Sequence, residues 1–222
     1  MERLILTEDG SHSLYSEQYN QQYHSLQGAL NESMYIYIHL GLLPVLQESV
    51  STISVLEMGL GTGLNALLAW QLADKLKKQV YYTSMEAFPI SVEEASLLNY
   101  ETLTNHHGFL KLHESSWGAD HQLSEYFSFR KENVRLEEFS TGKLFHVIFY
   151  DAFDPKVQPE LWTEEIFNKI AAQTLSGGIL VTYSSKGIVK RALRAAGFEV
   201  KRHPGPGKKT HVLRAVKVTS DN

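Results

Sequence analysis

From residue 53 onward, short apolar runs alternate with segments whose apolar positions recur about every 3.6 residues. "ISVLEM" (53–58), "VYYTSM" (80–85), "LFHVIFY" (144–150) and "ILVTY" (179–183) predict strands, with one more near "EYFSFRKENV" (125–134). Between them, "LNALLAWQLADKLKK" (64–78), a stretch from Ser91 to Leu103, "PELWTEEIFNKIAAQTL" (159–175) and "KGIVKRALRAA" (186–196) predict helices. Ser91 with Glu94 three residues on reads as a capping box. Gly177-Gly178 reads as the turn into the fifth strand, and Gly197 as the stop of the last helix. "FEVKRH" and "THVLRAVKV" then close the chain as two strands around the loop "PGPGKK". Strands and helices alternating in this way predict an α/β fold, a mostly parallel sheet covered on both faces with one antiparallel edge strand. Residues 1–50 precede this body of residues 51–222. Tyr15, Tyr19, Tyr23, Tyr35 and Tyr37 crowd there and are expected to pack the segment onto the domain, where it could shape a substrate pocket.

Composition narrows the picture little. With 222 residues, 43% hydrophobic and 21% charged, the chain fits one large domain. No apolar run approaches the ~20 residues of a membrane span, and acids stand where a signal peptide would carry its apolar core. A cytoplasmic protein without a membrane partner is expected. The absence of cysteine excludes disulfides and thiolate chemistry. The ten histidines are scattered, His106-His107 being the only adjacent pair, and no metal site is expected.

Charge is more informative by position. The net charge is −4, yet residues 186–217 carry ten basic residues against one acid, Glu199, for a local +9 that leaves −13 elsewhere. Such a run is either a solvated face or a landing site for a phosphate backbone.

"VLEMGLGTGLN" joins the first strand to its helix. Its glycines permit a tight turn and close approach to a ligand, and the helix start offers free N–H groups. Leu64 breaks the G-x-G-x-x-G dinucleotide fingerprint. The E-x-G-x-G-x-G spacing instead resembles the first motif of Rossmann-like S-adenosylmethionine-dependent methyltransferases, in which an acid ending the second strand binds the ribose hydroxyls. That resemblance makes Glu57, Gly59, Gly61, Gly63 and Asn65 the cofactor turn and Glu86 the ribose ligand, with Glu132 and Asn133 after the third strand as adenine contacts.

"HVIFYDAFDP" (146–155) ends the fourth strand in Asp151, expected to lie beside the first strand, where open α/β sheets bind ligands. Asp151-Ala152-Phe153-Asp154 is similar to the D/N-P-P-Y/F pattern of amino-group methyltransferases. An amine attacks a sulfonium methyl in line, so a neutral nitrogen must be held about 3 Å from the carbon. A carboxylate can accept its hydrogen bond, aim its lone pair and stabilise the charge that grows on nitrogen. Phe153 would wall the acceptor. On these residues alone Asp151 also reads as a turn cap and Phe153 as core.

Across nearly its whole length the chain resembles one family. "MGLGTGLN", "FYDAFDPKVQPELWTEEIFNKIA", "SGGILVTYSSKGIVKRALRAAGFEVKRHPGPGKK" and the early "YSEQYNQQYHSLQGALNESMYIYIHLGL" are similar to the tRNA 5-methylaminomethyl-2-thiouridine-forming methyltransferases, MnmD, whose domain also forms the amino-terminal half of the bifunctional MnmC enzymes. The resemblance implies a class I Rossmann-like fold with a seven-stranded sheet. It also implies methyl transfer from S-adenosyl-L-methionine, which leaves S-adenosylhomocysteine, to the primary amine of 5-aminomethyl(-2-thio)uridine at the tRNA wobble position. Asp151 would engage that amine, and Phe153, Pro155, Tyr183, Lys186, Lys190, Arg191, Lys208 and Lys209 would meet the RNA. The flavin-dependent oxidase domain of the bifunctional relatives is expected to be absent, so no flavin is expected and another enzyme must supply the aminomethyl group. No stable protein partner is expected. Two positions depart from the family pattern: Asp154 stands where a small residue is usual, and "GKKTHVLRA" places Lys209 for an arginine and His211 for an acid or polar residue. An aminopropyltransferase of the spermidine-synthase type, another small-amine methyltransferase and a non-enzymatic RNA-binding module remain open.

Overall fold

The apolar runs predicted as strands form the centre of one large sheet. A computed structural model of the chain describes residues 3–48 and 50–218. Met1, Glu2, Ser49 and residues 219–222, which include the ends of the two regions divided at residue 50, lie outside the described residues.

The chain begins with β1 (Leu4–Leu6), β2 (His12–Ser16) and β3 (Gln21–Gln22), a small antiparallel sheet. A helical rod follows: α1 (Ala29–Ser33), a π-helical stretch Met34–Leu42 and α2 (Leu43–Leu46). Next come β4 (Thr52–Met58), α3 (Leu64–Leu76), β5 (Gln79–Met85), α4 (Val92–Ser96), α5 (Tyr100–Thr104) and α6 (Phe109–Glu114). β6 (Asp120–Gln122), β7 (Phe127–Glu132), β8 (Phe145–Tyr150), a 3-10 turn Pro159–Trp162, α7 (Glu164–Ala172) and β9 (Thr174–Thr182) continue it. α8 (Gly187–Ala195), β10 (Phe198–Pro204) and β11 (His211–Lys217) complete the described fold.

The main sheet has the order β10-β11-β9-β8-β4-β5-β7-β6. β4 pairs in parallel with both β5 and β8. The chain therefore builds outward from β4 on one side and returns to build outward on the other, making the β4–β8 boundary the switch point where ligands bind. The central strands read as unbroken apolar runs because both faces are covered. Val55, Val147 and Val181 pack toward α3 and the π-helical stretch, and Leu56, Ile148 and Leu180 toward α7 and α8.

Several elements differ from expectation. Among the described residues the sheet has eight strands, because the polar, largely exposed β6 adds an antiparallel edge. At the other side, β11 is antiparallel to both neighbours and lies one strand in from the edge, which is β10. The helix expected over 91–103 breaks at residues 97–99, where Asn99 accepts the backbone N–H of His12 at 2.9 Å and donates to the Gly10 carbonyl at 2.9 Å. Its Ser91–Glu94 capping box is present. Gly177-Gly178 lies within β9 as a bulge opposite Phe145 and Val147, not as a turn before it. Among the described residues, no helix is long and apolar enough to cross a membrane.

Residues 29–46 lie directly on the sheet. Ile36, Tyr37 and Leu42 belong to the same buried cluster as Val55 and Leu67. Gly41 makes this approach possible, because a Cβ there would stand 2.9 Å from Val181 and 3.2 Å from Phe149. That contact sets Tyr37, one turn earlier, against the end of β8.

Candidate functional site

Beyond the carboxyl ends of β4, β5 and β8 the protein opens a cleft of about 460 Å³. Its floor is the turn from β4 into α3. Gly59 has φ +88°, and a Cβ there would lie 3.0 Å from the Asp151 carbonyl, so only glycine lets the turn pass the end of β8. The Gly59 N–H donates to the Met85 carbonyl at 3.0 Å, and that of Asp151 to the Met58 carbonyl at 3.1 Å, which ties three strand ends together.

Glu86 hangs from the end of β5. One carboxylate oxygen accepts the Gly61 N–H and the other the Phe88 N–H, each at 2.9 Å. Burial raises its pKa against these backbone bonds, which lower it. Each oxygen keeps a lone pair for a hydroxyl on the cleft side. Cradle and carboxylate thus suit a nucleoside held by its vicinal hydroxyls.

Asp151 sits at the other end, half-buried on the cleft wall. Tyr37 donates to its Oδ1 at 2.5 Å and Asn65 Nδ2 to its Oδ2 at 2.8 Å. Burial pushes its pKa up to about 6. The Tyr37 hydrogen bond opposes this, the charge of Glu32 adds to it, and Asn65 and Lys209 oppose it. The carboxylate is therefore aimed from two sides and is ionised at neutral pH. Replacing Tyr37 by Phe removes a donor that stabilises the charged form, so Asp151 should protonate at higher pH. The acid limb of the pH–rate profile is expected to move up by about one unit, and an unmoved limb would show that Tyr37 only fills space.

Of the sequence-predicted cofactor residues, Gly59, Gly61, Asn65 and Glu86 line the cleft. Gly63 lies behind them as the N-cap of α3. Glu57 does not reach the cleft: it is fully buried within β4 and accepts from Ser84 Oγ at 2.7 Å, its partner across the β4–β5 ladder. Burial raises its pKa to about 8, against the Ser84 bond, with Asp151's charge adding to the shift and Asn65 and Tyr82 beside it. Glu57 is therefore neutral in the folded protein where an unfolded chain would ionise it, and the stability it contributes is lost as pH rises from about 4.5 to 8. Glu57→Gln should flatten that loss, gaining about 3 kcal/mol on wild type between pH 5 and pH 8 in denaturant titrations. Parallel stability–pH curves would count against a neutral Glu57.

Glu132 and Asn133 are also occupied elsewhere. Arg130 Nε donates to Glu132 at 2.6 Å, and Asn133 donates to the Glu86 carbonyl at 2.9 Å. The side chains that face the space beyond Glu86 are the apolar Val134 and Leu136.

Of the residues expected to meet the substrate, Phe153, Tyr183 and Lys209 line the cleft, whereas Pro155 is buried behind it. Phe153 packs against Tyr19 and Tyr23 at centroid distances of 4.5 and 5.2 Å, and Gln158 donates to the Tyr19 hydroxyl at 3.0 Å. Two residues of the amino-terminal region thus roof the cleft. Tyr183 donates to the Ala152 carbonyl at 2.8 Å. Lys186 forms an ion pair with Asp154. Partial burial raises the Asp154 pKa, but the Lys186 bond and the Lys156 N–H outweigh it and hold the carboxyl below its usual range. The charge of the extra acid is thereby balanced. Lys190, Arg191 and Lys208 do not line the cleft. Tyr37, Glu32, Tyr19 and Tyr23 were not legible as site residues from spacing. Tyr37 meets Asp151 across 114 positions of sequence.

Residues 103–218 match a family described as S-adenosyl-L-methionine-dependent methyltransferase. The chain belongs to this family. The cofactor of this methyltransferase is therefore S-adenosyl-L-methionine, and the glycine turn with Glu86 fits it. The tRNA 5-methylaminomethyl-2-thiouridine biosynthesis bifunctional protein MnmC of Nitrosospira multiformis is 33% identical over 217 residues, which cover 90% of this chain and 35% of that protein. The methyltransferase spans about a third of the length of the curated relatives it matches. Among solved structures, that of MNMC2 from Aquifex aeolicus superposes with a TM-score of 0.79 at 23% identity, covering 99% of this chain and 70% of that one. Spermidine synthase from Thermotoga maritima gives a TM-score of 0.55 at 17% identity, covering 97% and 73%. These two likenesses show the fold.

Proposed function

We propose that the methyltransferase acts on the primary amine of 5-aminomethyl(-2-thio)uridine at the wobble position of tRNA, giving the 5-methylaminomethyl nucleoside. The observation that carries this reading is Asp151, aimed into the cleft by Tyr37 and Asn65. The bound cofactor supplies an electrophilic methyl group. Asp151 accepts a hydrogen bond from the amine, orients its lone pair and offsets the positive charge that develops on nitrogen. Phe153, beneath Tyr19 and Tyr23, keeps water from the reacting groups. A separate activity installs the aminomethyl group.

The basic segment supports an RNA substrate once its ion pairs are set aside. Lys186 and Lys209 are paired with Asp154 and Glu32, and Lys201 lies near Glu199. Lys190, Arg191, Arg194, Arg202 and Lys208 have no acidic partner among the described residues, and all but the partly buried Lys190 are exposed. Five phosphate contacts predict that the logarithm of tRNA affinity falls against the logarithm of salt concentration with a slope of about −4. A slope near zero would remove RNA from the account.

The likeness to spermidine synthase in fold, together with the carboxylates Asp151 and Glu32 at one end of the cleft, keeps an aminopropyl-transfer reading in view. Putrescine with decarboxylated S-adenosylmethionine, and tRNA bearing 5-aminomethyluridine with S-adenosylmethionine, should be compared as substrate pairs. Turnover of the tRNA pair supports the proposal, and turnover of putrescine alone overturns it.

A further inference from the structure

The acceptor end of the cleft holds a second carboxylate that the reaction above does not use. Glu32 is only 8% exposed, yet it lines the same cleft as Asp151. It belongs to α1, between the buried Ala29 and Ser33, and its backbone N–H donates to the Gly28 carbonyl at 3.2 Å. The backbone of Glu32 is thereby anchored in the helix, and its side chain is largely enclosed.

Its partner is differently held. Lys209 comes from the loop between β10 and β11 and forms an ion pair with Glu32. The same ammonium lies 4.5 Å from the centroid of the Tyr183 ring. A primary ammonium of the protein itself thus occupies a cage of carboxylate and aromatic face inside the cleft, a chemistry that selects alkylammonium ions. Lys208, next to Lys209, is exposed on the same loop and can meet a phosphate there. Leaving an enclosed carboxylate charge unpaired is costly, and either Lys209 or a bound amine can pair with it.

We propose that Glu32 is the docking carboxylate for the cationic form of the acceptor amine, which takes the place of Lys209 on Glu32 while Lys209 turns outward to the RNA backbone. This rests on the reading of the acceptor as a primary amine. Docking is an exchange of ion pairs, with no covalent bond made or broken. The docked ammonium then gives one proton to water, and Asp151, 119 positions later in the chain, orients the lone pair of the neutral amine. A neutral hydroxymethyl group cannot displace Lys209, so Glu32 is a specificity determinant for an amine over its alcohol counterpart.

The test compares two anticodon stem-loop RNAs, one carrying 5-aminomethyluridine and the other 5-hydroxymethyluridine, binding to the protein saturated with S-adenosylhomocysteine. Taking the ratio of their dissociation constants cancels the phosphate contacts that the two RNAs share. Wild type should prefer the amine by about tenfold, and Glu32→Gln should reduce that preference to about twofold or less. Lys209→Met should weaken both RNAs but raise the preference, because it removes the competing cation. This second variant keeps the test sharp if Glu32→Gln folds poorly, which thermal denaturation would report. A full preference retained in Glu32→Gln, or a preference lost in Lys209→Met, overturns the inference. If Asp151→Asn alone abolishes the preference, docking belongs to Asp151 and the inference also fails. A wild-type protein that shows no preference and methylates neither RNA overturns the amine reading itself, whereas one that methylates the aminomethyl RNA and is indifferent to Glu32→Gln overturns only the role of Glu32.

Discussion

Asp151→Ala is expected to lower kcat for methyl transfer by about 10³-fold while cofactor affinity stays within about threefold. The magnitude follows from what the carboxylate does in the cleft. It is held by two donors, Tyr37 at 2.5 Å and Asn65 at 2.8 Å, and lines the cleft where the acceptor is proposed to sit. Its removal takes away both the orientation of the nucleophile and the charge that balances the growing ammonium. Cofactor affinity should hold because the glycine turn contacts Asp151 through its backbone: the Gly59 approach is to the Asp151 carbonyl, and the Asp151 N–H bonds to Met58. Neither contact changes with the side chain. Asp151→Asn keeps the shape and loses the charge, so it should recover little of the rate. A variant that loses cofactor binding along with rate would instead place Asp151 in the framework of the cofactor pocket.

The second large effect is at Glu86. Glu86→Ala is expected to weaken S-adenosyl-L-methionine binding by about 100-fold, the loss of two charge-assisted hydrogen bonds, with less than a tenfold change in kcat at saturating cofactor. The alanine also leaves the N–H groups of Gly61 and Phe88 without the acceptor that now holds each at 2.9 Å. Part of the loss will therefore come from a looser glycine turn. Glu86→Gln separates the two contributions, because an amide oxygen can still accept one backbone N–H. It should fall between wild type and Glu86→Ala. Isothermal titration of the three proteins with S-adenosylhomocysteine reads this directly, and equal affinities would remove Glu86 from the cofactor site.

How much of this was legible in the sequence depended on whether the signal was local. The central strands read clearly because β4, β5, β8 and β9 are buried on both faces and so are nearly continuous apolar runs. β6 did not, since Asp120-His121-Gln122 is polar and exposed on its edge. The position of β11 inside β10 is a tertiary choice that two similar amphipathic runs do not reveal. In the site, the glycine turn, Glu86 and Asp151 stand at strand ends, where residue type and position coincide. Glu57 shares the motif, but its place one residue before the end of β4 turns it into the core, toward Ser84. Glu132 and Asn133 sit where the strand end was expected, yet their side chains are taken by Arg130 and the Glu86 carbonyl, and the cleft receives Val134 and Leu136. Tyr37 and Glu32 lie in a helical rod whose sequence carries no chemical motif. Their roles depend on a close approach at Gly41 that only packing decides. Of the five clustered tyrosines, Tyr37 is buried against Asp151, while Tyr19 and Tyr23 roof the cleft.

The most direct test of the account is methyl transfer from labelled S-adenosyl-L-methionine to tRNA carrying 5-aminomethyluridine, with the product digested and its nucleosides identified by mass. The account predicts a 5-methylaminomethyluridine product whose formation depends on Asp151. Label transferred to any other nucleoside, or none transferred by a protein that binds the cofactor, would contradict it.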